Sequence, residues 1–157
     1  MRLSLEQAMA EHGKRVFAAA YSLLKNRADA EDVVQDVFLR YFTDEKQFAS
    51  EAHIRGWLLR TAINRAKDLL RAARRQRELP LEDVPAEQEL PDDESGALFR
   101  AVIALPEPYR IVIHLHYYED YSVREIAQLL RLPQATVKTR LFRGRQLLRQ
   151  VFEEEPT

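Results

Sequence analysis

The chain has 157 residues and a formal net charge of −1, enough for one domain or two small ones. It contains no cysteine, which excludes disulfides, thiolate metal sites and thiol redox sensing within this polypeptide. No apolar run reaches membrane-spanning length and the first residues carry no signal-peptide pattern, so a cytoplasmic location without membrane insertion is expected. The near-neutral total conceals a segregation of charge. His53 to Arg77 holds eight Lys/Arg against one Asp, and Ser122 to Gln150 holds seven Lys/Arg against one Glu. Between them, Glu78 to Ser95 carries eight Asp/Glu and no Lys or Arg. Two basic blocks around an acidic spacer predict two surfaces that meet a polyanion.

Only four glycines and no sustained strand alternation predict an all-α chain. A first helix is expected from about Ser4 to Lys25, with Leu5, Met9, Val16, Ala20 and Leu23 among its inner residues. A second is expected to start at Asp29 as N-cap, and Ala30, Val33, Val34, Val37, Phe38 and Tyr41 follow the i, i+3, i+4, i+7 template. Asp32, Gln35, Asp36 and Arg40 lie off that stripe. After a polar loop over about Thr43 to Ala52, a long helix runs from His53 to Arg77 with Ile54, Leu58, Ala62, Ala66 and Leu69 inward. These helices suffice for one small bundle. Trp57, beside Ile54 and Leu58, reads as core more readily than as a stacking platform.

The acidic stretch Glu78 to Ser95 includes Pro80, Pro85 and Pro91 and reads as an extended, flexible linker. Helices over about Gly96 to Ala104 and Pro106 to Tyr118 follow. Ser122 with Glu125 is a capping box that starts a short helix near Val123, with Ile126, Leu129 and Leu130 on one face. Pro133 ends the turn and opens the last helix. In that helix Val137, Leu141, Gly144 and Leu148 share the inner face. Thr136 and Thr139 lie near its start, and Lys138, Arg140, Arg143, Arg145 and Arg149 point largely outward. Phe142 either packs beside Leu141 or offers an edge to a thymine methyl, and packing is preferred. A helix of this kind suits a major groove, with cations on phosphates, but it also suits a solvated surface.

His12, His53, His114 and His116 form no ligand cluster, and no phosphate loop, metalloprotease motif or nucleophile elbow occurs. No catalytic residue, metal or cofactor is therefore expected, and the chain does not read as an enzyme.

Several motifs in order resemble the extracytoplasmic-function (ECF) group of the sigma-70 family, the promoter-specificity subunits of bacterial RNA polymerase. Asp29 to Phe38, DAEDVVQDVF, is similar to the family's DAED-x-x-Q-[DE]-x-F helix. Trp57-Leu58 with Asn64 and Asp68 is similar to the next helix, and Leu105-Pro106 with Arg110 to the opening of the C-terminal domain. Glu125-Ile126-Ala127 and Thr136 to Leu141 are similar to its helix-turn-helix signature. Asp120 and Arg131 stand where many relatives have a turn glycine, and Gln134-Ala135 replaces a common Glu-Gly. These departures bear on base preference.

The resemblance implies two small helical domains, a sigma2-like bundle over 1–78 and a sigma4-like helix-turn-helix domain over 96–153, joined by the linker 79–95. It implies core RNA polymerase, promoter DNA and an anti-sigma factor as partners. It places Asp32, Gln35, Asp36 and Arg40 on the polymerase. Phe48, Arg60, Asn64, Lys67 and Arg71 go to single-stranded −10 DNA, with Phe48 stacking on a base. Thr136, Thr139, Arg140 and Arg143 go to the duplex −35 element, with Lys138 and Arg145 as phosphate clamps. The linker is either a tether or an acidic nucleic-acid mimic in the polymerase channels. A stand-alone helix-turn-helix regulator and a sigma-like decoy for anti-sigma proteins are the competing readings. The docking helix speaks against the first, and retention of both basic helices against the second.

Overall fold

A computed structural model describes residues 1–77 and 94–154. They form seven α-helices and no strand: α1 (Leu5–Leu24), α2 (Arg27–Thr43), α3 (Glu51–Arg77), α4 (Glu94–Ile103), α5 (Glu107–Tyr117), α6 (Val123–Leu130) and α7 (Gln134–Glu154). The chain separates into two compact units, Met1–Glu87 and Gln88–Thr157. The expected linker falls almost entirely outside the described residues, and α4 begins at Glu94, two residues ahead of its expected start.

In the first unit, α1 opens with a capping box. Ser4 Oγ accepts from Gln7 N at 3.1 Å, and Gln7 Oε1 accepts from Ser4 N at 3.0 Å. Lys25 closes the helix in the left-handed region at φ 55°, donating its N–H to Tyr21 O. The next helix starts earlier than expected. Asn26, not Asp29, is the N-cap of α2, and its Oδ1 accepts from Asp29 N at 2.9 Å. Asp29 therefore sits in the first turn, where its negative charge suits the helix dipole.

Small residues let α1, α2 and α3 approach closely: Ala19, Ala20, Ala30, Ala62 and Ala66 are fully buried. Val16, Val33, Val37, Ile54, Leu58, Leu59 and Ile63 fill the space between them. Each large aliphatic buried in this way contributes about 1.5–3 kcal/mol, so Leu58→Ala would cost about 2–5 kcal/mol. Four expected inner positions differ, Leu5 and Val34 among them as half-buried residues. Met9 is exposed, and Leu70 rather than Leu69 is buried at the end of α3, a phase shift of one residue.

The second unit is organised around α5, whose Ile111, Val112, Ile113, His114 and Leu115 are all buried. Arg110 is also buried, and its Nε donates to Leu105 O at 3.2 Å. That bond gives the Leu-Pro-x-x-x-Arg spacing a structural purpose, because the guanidinium satisfies a carbonyl in the turn between α4 and α5. Gly144 is the close-approach point of α7 on α5. A Cβ there would lie 2.7 Å from Ile113 Cγ1.

The Ser122 capping box forms as expected, and Ile126, Leu129 and Leu130 are buried. Asp120 and Arg131 both adopt positive φ, at 56° and 58°. Arg131 is the C-cap of α6, and Leu132 N donates to Ala127 O at 3.0 Å, which closes the turn into α7. An arginine bears this backbone at a cost that glycine would not.

Candidate nucleic-acid interface

Four residues of α3 share one side of the first unit. Arg60, Asn64, Lys67 and Arg71 recur at i, i+4, i+7 and i+11, which places them on one helical face. That face lies opposite the buried Leu58, Ala62 and Ala66; Arg60, Asn64 and Arg71 are exposed and Lys67 is half-buried. At 1.5 Å per residue the stripe runs for about 16 Å, long enough to track several nucleotides of a single strand. Arg71 Nη1 also meets Asp68 Oδ1 at 3.1 Å, an exposed pair that steadies the side chain weakly.

Phe48 corrects an expectation. Its ring is only 3% exposed and packs against Tyr41, His53 and Trp57, with centroids 5.9, 5.1 and 5.9 Å away. Phe48 alone of the loop residues 43–50 turns into the bundle, because contact with Tyr41 and Trp57 removes its benzyl group from water. It is thus an anchor of the loop and is not offered to a base. Trp57 is half-buried and packs in the same aromatic cluster. The loop's outward side consists of the exposed residues 43–47.

On α2, Asp32, Gln35 and Arg40 are exposed and Asp36 is half-buried. Asp36 Oδ2 accepts from Arg65 Nε of α3 at 2.9 Å, so this carboxylate already has a partner within the bundle. Two residues missed by sequence reasoning complete the outer face. Leu39 and Phe42 are 62% and 65% exposed, an unusual outlay for large apolar groups. The signal was present, since both fall out of phase with the inner stripe Ala30–Val33–Val37–Tyr41.

In the second unit, Thr136, Thr139, Arg140 and Arg143 line one open groove together with Pro108 and Tyr109 of α5. Thr139 Oγ1 donates to Ala135 O at 3.0 Å, which commits its hydrogen and leaves lone pairs to accept from a base amino group. Lys138 and Arg145 are on the other flank of α7, at i and i+7. Lys138 is exposed, whereas Arg145 Nε donates to Tyr117 Oη at 2.6 Å and its guanidinium lies 5.8 Å from that ring. Phe142, expected to pack, is 58% exposed on the Lys138 flank because Val137, Leu141 and Gly144 already occupy the inner face.

Among the described residues no cluster of His, Asp or Glu is arranged to hold a metal, and no helix is long and apolar enough to cross a membrane. His114 has a different character. It is buried between Phe99 and Tyr118, with centroids at 6.2 and 5.3 Å, and neither ring nitrogen has a hydrogen-bond partner. Burial pushes its pKa down to about 4, and burial also raises that of the Tyr118 hydroxyl.

The two units correspond to two family models in the same order. Residues 8–76 match Sigma-70 region 2, and residues 95–148 match Sigma-70 region 4. Over 157 aligned residues the chain is 31% identical to the ECF RNA polymerase sigma factor SigW of Bacillus subtilis (strain 168), across 89% of this chain and 84% of that one. This chain belongs to the ECF group of the sigma-70 family. Its fold is similar to that of CnrH, solved in complex with the cytosolic domain of CnrY, with a TM-score of 0.66 and 27% identity over 97% of this chain and 89% of CnrH. It is also similar in fold to the sigma factor RpoE, solved with the anti-sigma factor NepR from Bartonella quintana, with a TM-score of 0.76 and 21% identity over 96% and 98% of the two chains. In this ECF sigma factor, the α3 stripe falls within region 2 and the α7 groove within region 4.

Proposed function

We propose that this ECF sigma factor directs core RNA polymerase to promoters by reading two DNA elements with two separate cationic surfaces. The observation that carries this reading is the presence of one outward polar set per unit: Arg60, Asn64, Lys67 and Arg71 on α3, and Thr136, Thr139, Arg140 and Arg143 on α7. The first, together with the exposed 43–47 loop ahead of α3, holds the single-stranded −10 element, where cations follow the backbone. The second faces duplex −35 DNA, where an Arg can read guanine O6 and N7. Lys138 meets phosphate beside that groove, and Arg145, steered by Tyr117, meets it further along α7.

Core polymerase docks on the outer face of α2. Asp32, Gln35 and Arg40 supply charge and hydrogen-bonding groups there, and Leu39 and Phe42 supply the apolar anchors such an interface needs. The functional division is 1–78 for docking and the −10 element and 96–153 for the −35 element, with the acidic stretch 79–95 between them. The chain performs no chemistry itself. It acts in the cytoplasm by binding the open form of promoter DNA, and so shifts the melting equilibrium. An anti-sigma partner restrains it; CnrH, similar in fold, was solved bound to a second protein, the cytosolic domain of CnrY.

The test is reconstituted transcription with core polymerase on a promoter library. Specific initiation from a subset of promoters is expected. A purified protein that binds core without selecting promoters would favour the decoy reading, and promoter binding without core would favour a stand-alone regulator.

A further inference from the structure

The loop between α2 and α3 is held by the first three residues of the chain. Phe48 and Met1 exchange two backbone bonds, Met1 N to Phe48 O at 2.9 Å and Phe48 N to Met1 O at 3.0 Å. Tyr41 Oη donates to Leu3 O at 2.6 Å. Between these, the Arg2 guanidinium forks. Its Nη1 donates to Lys46 O at 2.6 Å, its Nη2 donates to Tyr41 O, and its carbon lies 4.4 Å from the Tyr41 ring centroid. One side chain thus ties a carbonyl in the last turns of α2, the middle of the loop and the aromatic floor under it.

The same loop leads directly into the cationic helix. Ala49 N donates to His53 Nδ1 at 3.0 Å, and Ser50 Oγ accepts from His53 N at 3.2 Å, so the loop's path sets the first turn of α3. Residues 43–47 are exposed on the outside of this strapped segment, whereas Phe48 is buried beneath it. A planar fork with fixed donors holds two carbonyls in one geometry at less entropic loss than a lysine would incur. A charge-assisted pair of this kind is stronger than the neutral bonds around it.

We infer that Arg2 is a positioning residue for −10 recognition: it fixes the 44–50 loop in the shape that meets single-stranded DNA, without touching DNA itself. This rests on the −10 assignment made under Proposed function. Arg2 acts through the backbone of Tyr41 and Lys46, so the selectivity lost with it is that of the loop and not that of α7.

The experiment compares the unmodified full chain with Arg2→Ala and Arg2→Lys, each reconstituted with core polymerase. Initiation is measured on a promoter of preferred −10 sequence and on single-base variants of it, alongside core affinity and −35 duplex affinity. The expected result is a fall of about tenfold in −10 discrimination for Arg2→Ala, with Arg2→Lys intermediate and the other two affinities within about twofold. Amide exchange in the free protein gives a readout that needs no DNA. The Phe48 amide should exchange faster in Arg2→Ala while amides in the α1–α3 core keep their protection. Unchanged −10 discrimination in Arg2→Ala overturns the inference, as does an equal loss of core and −35 affinity. If the unmodified protein itself shows no −10 discrimination, the assignment under Proposed function falls as well, and the two failures are distinguished.

Discussion

Arg65 Nε of α3 donates to Asp36 Oδ2 of α2 at 2.9 Å, joining the helix assigned to DNA with the helix assigned to polymerase. Both side chains are about 40% exposed, so solvent screens the pair and its worth is modest. Its importance is that it separates two acidic residues the motif presents as equals. Asp32 faces solvent and is available to a partner protein, while Asp36 already completes a bridge within the bundle.

Charge reversal at Asp32 is therefore the cleaner probe of docking. Asp32→Lys should weaken core binding by about tenfold or more and leave thermal stability unchanged. Asp36→Asn should cost on the order of 0.5 kcal/mol of stability in addition to any effect on docking. Core titration combined with thermal melts of each variant separates the two. Equal loss of core affinity with unchanged melting in both variants would show that the Arg65 bridge does not distinguish them.

The two flanks of α7 should behave differently in DNA binding. Arg140→Ala, in the groove with Thr136 and Arg143, should relax preference at a base pair by about 1–3 kcal/mol. Lys138→Ala should instead weaken all sequences alike and lower the slope of log affinity against log salt by about 1. Competition binding on −35 duplex libraries at several salt concentrations reads both quantities. A uniform loss from Arg140→Ala would move that residue to the phosphate set.

His114 makes the second unit sensitive to acid. Its imidazole titrates at 6.5 when unfolded and at about 4 in the folded core. Above 6.5 both states are neutral and the full stability is present. As the pH falls through 6.5 toward 4, only the unfolded chain takes up the proton, and stability is lost. The loss between pH 7 and pH 5 is on the order of 2 kcal/mol. His12, lowered first by burial and then by Arg15, changes stability in the same direction. His114→Phe, which keeps an aromatic between Phe99 and Tyr118, should flatten the dependence in thermal unfolding at the two pH values. A slope identical to that of the unmodified chain would assign the acid sensitivity elsewhere.

Gly144 is needed for space. An added Cβ would stand 2.7 Å from Ile113 Cγ1 and 3.0 Å from Cδ1, and Ile113 is fully packed. Overpacking of this kind costs about 1–3 kcal/mol, partly offset by the roughly 1 kcal/mol that alanine gains over glycine in a helix. Gly144→Ala should therefore lower the unfolding midpoint. Combined with Ile113→Ala the two costs should be less than additive, since the second change removes the atoms that clash. Denaturant unfolding of the single and double variants checks this.

Local patterns carried much of the fold. The apolar stripe of α2, the Ser122 capping box and the inward Val137, Leu141 and Gly144 depend on spacing of 3.6 residues and on cap chemistry, which neighbours in sequence decide. The same periodicity places Arg60, Asn64, Lys67 and Arg71 on one face of α3. The turn at Arg131 was legible only through the family resemblance, which puts a glycine there in many relatives, and its φ of 58° is the left-handed backbone such a position demands. The start of α2 was not, because Asn26 and Asp29 are both competent caps and only the turn left by Lys25 selects Asn26.

What the sequence by itself determined is the all-α class and which faces of α3 and α7 carry their cations, since both follow from periodicity within a single helix. Tertiary structure alone decided that Phe48 is buried, that Asp36 pairs with Arg65, that Tyr117 holds Arg145 and that Arg2 straps the loop ahead of α3. Each of these joins residues far apart along the chain or sets a side chain's direction in an irregular loop. Such contacts arise only when helices pack and bring distant donors, acceptors and rings within a few ångströms, which no repeat in the sequence encodes.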